Sequence, residues 1–225
     1  MFQERIFIKS PLGEGALFSR TVLARVAAVL LEEPAFSELR TTQQLGYSVF
    51  TKYISHFGVD YIHVCVQGSE HGAVTMATAV LHFLEDFRSK LPALLRDEKG
   101  QPTEHWNFVL SSVKRSILVK PSSQRAMATK LAAELFSPDP NPDLSDLYVG
   151  ALEGLTPESL LEFYDEYILG ARSRRIVSLS QSKEREWGLK GLGGAFRQLG
   201  YQNKTQLNEP FLYWHFTFLG IEMGK

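Results

Sequence analysis

Few side chains in this sequence stand at spacings that suit chemistry, and the densest group lies between residues 33 and 47. Arg40 offers a permanently charged fork of five donors, suited to a peptide carbonyl or a carboxylate. Tyr47 offers a phenolic hydroxyl that can donate to a developing oxyanion. A polar run and Gly46 join the two. The plainer alternative is that Arg40 caps the end of a short helix and Tyr47 packs half-buried.

Other chemistries are poorly served. His82, Glu85 and Asp86 begin like the inverted zinc motif H-x-x-E-H, but Asp86 stands where the second histidine belongs. No third ligand is indicated, and an amphipathic helix accounts for the segment, so no metal site is assigned. His56, His63, His71, His105 and His215 are scattered. Cys65 is the single cysteine and sits between Val64 and Val66, as a buried structural thiol does. There is no G-x-S-x-G elbow and no G-x-x-x-x-G-K-[ST] loop. Glycines 188, 191, 193 and 194 read as a loop without the strand–helix context of a phosphate cradle. Paired carboxylates such as Glu32 with Glu33, or Glu85 with Asp86, fit solvated helix faces. A base paired with a metal or nucleophile is therefore not self-contained in this sequence.

The elements that position these residues follow from periodicity. Residues 4–9 and 47–55 read as strands, and residues 61–67 pair with the latter as a hairpin through a turn at Gly58 and Asp60. A helix from about residue 19 carries Val22, Leu23, Val26, Val29 and Leu30, and Pro34 should end or kink it. A short helical piece over 34–44 then stops at Gly46. Residues 72–95 form a long amphipathic helix. Thr103 caps the next, with Trp106, Val109, Leu110, Val113 and Ile117 as its stripe. Ser122 or Ser123 caps a helix bearing Met127, Leu131 and Leu135. A rigid connector spans 137–142, and Thr156 followed by Pro157 starts a helix that ends at Gly170. Residues 174–180 form the last strand.

This order predicts an α+β domain, an antiparallel sheet covered on one face by helices. Residues 1–182 make a single domain, and the aromatic stretch 211–219 within residues 183–225 forms a docked tail. With 225 residues, 44% of them hydrophobic, the chain can build one sizeable core. Its formal net charge of -1 gives no electrostatic case for nucleic acid or an anionic membrane. The apolar run at 22–31 is short and holds Arg25, so it is no membrane span. No signal peptide is legible at the N-terminus. The expected setting is the cytoplasm or an organelle lumen such as the mitochondrion or peroxisome, unless the natural N-terminus lies upstream.

The pattern Pro34-x-Phe36-x-x-Leu39-Arg40-Thr41-x-x-Gln44-Leu45-Gly46-Tyr47 resembles a motif near the end of the pitrilysin/insulin-degrading family of zinc metallopeptidases. The similarity extends to the preceding helix, the following hairpin, the Lys120-Pro121 break and the Thr156-Pro157 start, over about residues 4–180. It implies the fourth of four homologous domains, of the LuxS/mitochondrial-processing-peptidase fold type. It further implies that Arg40 and Tyr47 are auxiliary catalytic residues reaching the substrate near the scissile bond, and that Phe36 lines the adjacent side-chain pocket. Zinc is then expected outside this chain, in an N-terminal half or a partner subunit, and the partners are a peptide and that zinc-bearing half. A free-standing, non-catalytic interaction domain of the same fold is the rival expectation.

Overall fold

The computed structural model describes residues 2–8, 14–56, 59–135, 143–170, 174–179, 205–206 and 216–217. The turn at Gly58, the connector at 137–142, the glycines at 188–194 and most of the aromatic tail lie outside the described residues.

Strands β1 (Phe2–Ile8), β2 (Ser48–His56), β3 (Val59–Gln67), β4 (Arg174–Leu179), β5 (Thr205–Gln206) and β6 (Phe216–Thr217) form one sheet in the order β2-β3-β1-β4-β6-β5. Every pairing is antiparallel. The N-terminal strand thus occupies the interior, between β3 and β4, although it comes first in the chain. β2 and β3 form the expected hairpin, in unbroken register from Ser48 opposite Gln67 to His56 opposite Val59.

Alternation along the hairpin decides what is buried. Val49, Thr51, Ile62, Val64 and Val66 are buried on the face that helices α1 (Glu14–Ala35) and α2 (Ala73–Leu95) cover. The opposite face carries Phe50, whose ring meets His63 edge-on at 5.4 Å. Cys65 is buried there as well. The fold is therefore α+β with an antiparallel sheet.

α3 (Glu104–Leu118) begins where the sequence predicts: Thr103 Oγ1 accepts from the Trp106 amide at 3.1 Å. Trp106, Val109, Val113 and Ile117 are its buried face. α6 (Pro157–Phe163) opens on a reciprocal capping box. The Ser159 amide donates to Thr156 Oγ1 at 3.2 Å, and the Thr156 amide donates to Ser159 Oγ at 3.1 Å. A π-helical turn, Tyr164–Leu169, follows and ends at Gly170, where a Cβ would lie 2.3 Å from the Asp165 carbonyl oxygen. Tyr164, fully inside, donates its hydroxyl to the Leu84 carbonyl at 2.8 Å and so fastens this segment to α2. Arg88 and Asp165 make a second tie through two hydrogen bonds of 2.5 and 2.6 Å.

Several expectations are corrected. α1 runs through Pro34 to Ala35 rather than ending before it, and the chain widens there into a π-helical turn, Phe36–Thr42. Proline removes one amide donor and crowds the preceding turn, so the break appears as a change of helix type rather than a stop. Val29 is exposed, not core. α4 (Gln124–Leu135) forms, with Ser123 Oγ accepting from the Ala126 amide at 3.1 Å, but Met127, Leu131 and Leu135 face outward. α5 (Leu144–Glu153) was not foreseen; it packs against α1 and α3 and buries Leu152.

Candidate functional site

The π-helical turn sets the geometry of the site. Its amide bonds reach five residues back or more: Gln43 to the Glu38 carbonyl at 2.9 Å and, closing the segment, Leu45 to the Leu39 carbonyl at 3.0 Å. Two side-chain bonds span the same interval. Gln43 Nε2 donates to Glu38 Oε1 at 2.9 Å, and Thr42 Oγ1 donates to the Ser37 carbonyl at 3.3 Å. Residues five apart lie on different sides of an α-helix, so these bonds are specific to the wider turn.

Burial divides the stretch. Ala35, Leu39 and Leu45 are buried in the core and anchor it. Phe36 is 42% exposed and Tyr47 is 60% exposed, and Arg40 is exposed between them. The Arg40 guanidinium carbon stands 4.8 Å from the Phe36 ring centre. The reading in which Tyr47 packs half-buried is thereby set aside. Arg40 does lie in the last turn of the helical segment, where a cation is favoured.

Two backbone features hold Tyr47 in place. Gln44 has φ 52°, the left-handed conformation that stops the helix two residues before the expected Gly46. Gly46 serves a different purpose. A Cβ there would lie 2.3 Å from the Gln67 carbonyl oxygen, and one on Gly68 would lie 2.5 Å from the Leu45 carbonyl oxygen. The two glycines let the chain cross the end of β3 before β2 begins.

A second polar cluster escaped sequence reasoning. Asp60, expected in a turn, lies in β3 and is buried. Its carboxylate accepts from Thr21 Oγ1 at 2.5 Å and from the Tyr53 hydroxyl at 2.7 Å. Burial, reinforced by the Asp60 charge, pushes the Tyr53 phenol far above its ordinary range, and burial raises Tyr148 as well. Arg25 packs its guanidinium 4.4 Å from the Tyr53 ring centre and 5.2 Å from that of Tyr148. This cluster ties α1, the hairpin and α5 together. Its signal in the sequence was Arg25 inside an otherwise apolar run.

No three His, Cys, Asp or Glu side chains cluster as a metal site among the described residues. His82, Glu85 and Asp86 stand on the exposed side of α2. Among the described residues, His82, Glu85 and Asp86 lack the further ligand that a bound zinc requires. No helix among the described residues is long and apolar enough to cross a membrane.

Residues 26–131 match the family model described as PQQ synthase PqqF-like, C-terminal lobe domain 4. The A-factor-processing enzyme of Saccharomyces cerevisiae is 26% identical over 157 residues, which is 70% of this chain and 14% of the yeast protein. Insulin-degrading enzyme of Bos taurus is 26% identical over 161 residues, covering 70% of this chain and 15% of that protein. A Caenorhabditis elegans relative named putative zinc protease is 27% identical over 156 residues, covering 69% and 17% respectively. Among solved structures, that of pitrilysin superposes with a TM-score of 0.64 at 19% identity, over 83% of this chain and 19% of that one. This chain is similar to the C-terminal domain of the pitrilysin/insulin-degrading family of peptidases. It spans between 14% and 17% of the length of the curated relatives it matches.

Proposed function

We propose that this chain is the peptide-contacting C-terminal domain of a pitrilysin/insulinase-type metalloendopeptidase. The observation that carries this reading is the joint exposure of Phe36, Arg40 and Tyr47 on a stretch that Ala35, Leu39 and Leu45 anchor in the core. Side chains displayed from a rigid base lose little freedom on meeting a ligand, which is what precise substrate positioning requires. Arg40 would hold a peptide carbonyl with its donor fork. Tyr47 would donate its hydroxyl to the oxyanion of the tetrahedral intermediate, and Phe36 would line the neighbouring side-chain pocket.

In this reading zinc is held by another domain or a partner chain, and the present chain does not hydrolyse peptides alone. Its partners are a peptide and that zinc-bearing half, in the cytoplasm or an organelle lumen. The test is to assay a quenched fluorescent peptide with the chain alone and then in its zinc-containing assembly. Hydrolysis only in the assembly, weakened by Arg40→Ala without loss of bound zinc, is the expected result. Hydrolysis by the chain alone, or loss of zinc on Arg40→Ala, contradicts the reading.

A second reading, a non-catalytic interaction domain, is favoured by one observation: the outward apolar stripe of Met127, Leu131 and Leu135 on α4. In that case Arg40 and Tyr47 variants would leave the assembly's kinetics unchanged, while charged substitutions on α4 would release a partner.

A further inference from the structure

Gln43 and Glu38 are joined twice. The Gln43 amide donates to the Glu38 carbonyl at 2.9 Å, and Gln43 Nε2 donates to Glu38 Oε1 at 2.9 Å. Thr42 Oγ1 reaches the Ser37 carbonyl over the same interval, at the longer distance of 3.3 Å. In an α-helix residues five apart stand about 140° apart around the axis, so both side-chain bonds exist only in the wide turn. A π-helical turn is rare, and the ordinary α register, that of the 22 residues of α1 before it, is the alternative open to this backbone. Ala35 and Leu39 anchor the buried side of the segment in either register. The Glu38–Gln43 bond ties its surface side in the wide one.

The register decides where Arg40 points, because Arg40 lies inside the five-residue interval that the bond closes. Gln43 is followed by Gln44, whose left-handed backbone (φ 52°) ends the segment. The bond therefore also sets the point from which the chain turns toward Tyr47. Glu38 acts on Arg40 through the backbone. Residues two apart do not face each other on a helix, and among the described residues neither Glu38 nor Arg40 stands in an ion pair.

We propose that Glu38 and Gln43 are a positioning pair: their side-chain bond holds the wide register, and that register presents Arg40, stacked on Phe36, to a peptide. The inference rests on the peptide-contact reading above and adds the residues that aim its central cation. Groups that orient a substrate need such support, since small misplacements are costly. The pair requires an acceptor on one side chain and an amide donor on the other, in either order.

Both partners are at the surface, so their variants leave the core intact. The test compares Gln43→Ala, Gln43→Glu, and the exchanged pair Glu38→Gln with Gln43→Glu, all in the 225-residue chain. Gln43→Glu sets two carboxylates against each other and breaks the bond; the exchanged pair restores it with donor and acceptor reversed. The first readout is the NMR resonance of Arg40 Nε–H, which senses the Phe36 ring 4.8 Å from the guanidinium carbon. It should move in both single variants and return in the exchanged pair, at unchanged Tm. The second is the dissociation constant of fluorescein-Gly-Ala-Phe-Leu-Val-Ala-Lys-amide, by anisotropy. Each single variant should weaken binding about three- to fivefold, as loss of one surface hydrogen bond predicts, and the exchanged pair should recover it. Gln43→Ala should add nothing to the effect of Arg40→Ala, because it acts through that residue. An Arg40 resonance that stays in place in the single variants, or a loss of affinity that adds in full to that of Arg40→Ala, would overturn the positioning role and leave the peptide-contact reading intact. A probe that the parent chain binds no better than Arg40→Ala does would overturn that reading, and this inference with it.

Discussion

The guanidinium carbon of Arg40 lies 4.8 Å from the ring centre of Phe36, four residues earlier on the same π-helical turn. An exposed cation over an aromatic face gains about 0.5–1 kcal/mol, enough to bias a long side chain toward one orientation. Phe36→Ala removes that platform. Thermal stability should change by about 1 kcal/mol, since Phe36 is 42% exposed and lies outside the buried core, while peptide affinity drops by about three- to fivefold. Phe36→Tyr should restore the affinity. Calorimetric titration of both variants checks this.

Tyr47 contributes little to packing, being 60% exposed. Tyr47→Phe should therefore leave Tm unchanged. In the zinc-containing assembly it should lower kcat about tenfold or more if the hydroxyl donates to the oxyanion, with a smaller effect on KM. Unchanged steady-state kinetics would remove Tyr47 from the reaction.

Two glycines should respond oppositely to alanine. At Gly46 the new methyl group would meet the Gln67 carbonyl oxygen at 2.3 Å, backbone that cannot yield easily. Gly46→Ala should cost about 1–3 kcal/mol and weaken peptide binding, because Tyr47 moves with the distorted crossing. Gly150, within α5, has nothing inside 4 Å of its added methyl. Gly150→Ala should stabilise the chain by up to about 1 kcal/mol. Urea denaturation of the two variants decides the signs.

Much of this arrangement was legible in the sequence. Thr103 and the Thr156-Pro157 pair announced their helices because capping is local chemistry, complete within a few residues. The hairpin was legible from its alternation; residue types and spacing singled out the Arg40–Tyr47 stretch, but its reading as a peptide contact came from the family resemblance. What escaped depends on distant neighbours. The π-helical turn has no composition signature, and Pro34 looked like a stop. α5 is ten residues long, and its burial is decided by α1 and α3. The outward stripe of α4 obeys helical periodicity, which cannot say whether anything packs on it. Asp60 looked like a turn residue because its partners, Thr21 and Tyr53, come from two other elements.

The Tyr53–Asp60 pair gives a pH prediction. The Tyr53 phenol has its folded-state pKa raised above the ordinary value of 10.0 by burial, and then by the neighbouring carboxylate. The neutral form is thus favoured in the folded chain. Stability from this group is fully present below pH of about 10 and is lost as pH rises beyond it. Tyr53→Phe should lower stability at neutral pH by about 1 kcal/mol through the lost bond to Asp60, and should flatten the alkaline decline. Denaturant midpoints measured from pH 7 to 11 test both.

The central claim is that Arg40 meets a peptide. Its most direct test is the dissociation constant of a fluorescein-labelled peptide for the chain and for Arg40→Ala, by anisotropy, with Tm recorded for each. A loss of affinity of about tenfold or more at unchanged Tm is the predicted result, the size expected when a charged hydrogen-bond donor is removed. Equal dissociation constants for the two proteins would contradict the account.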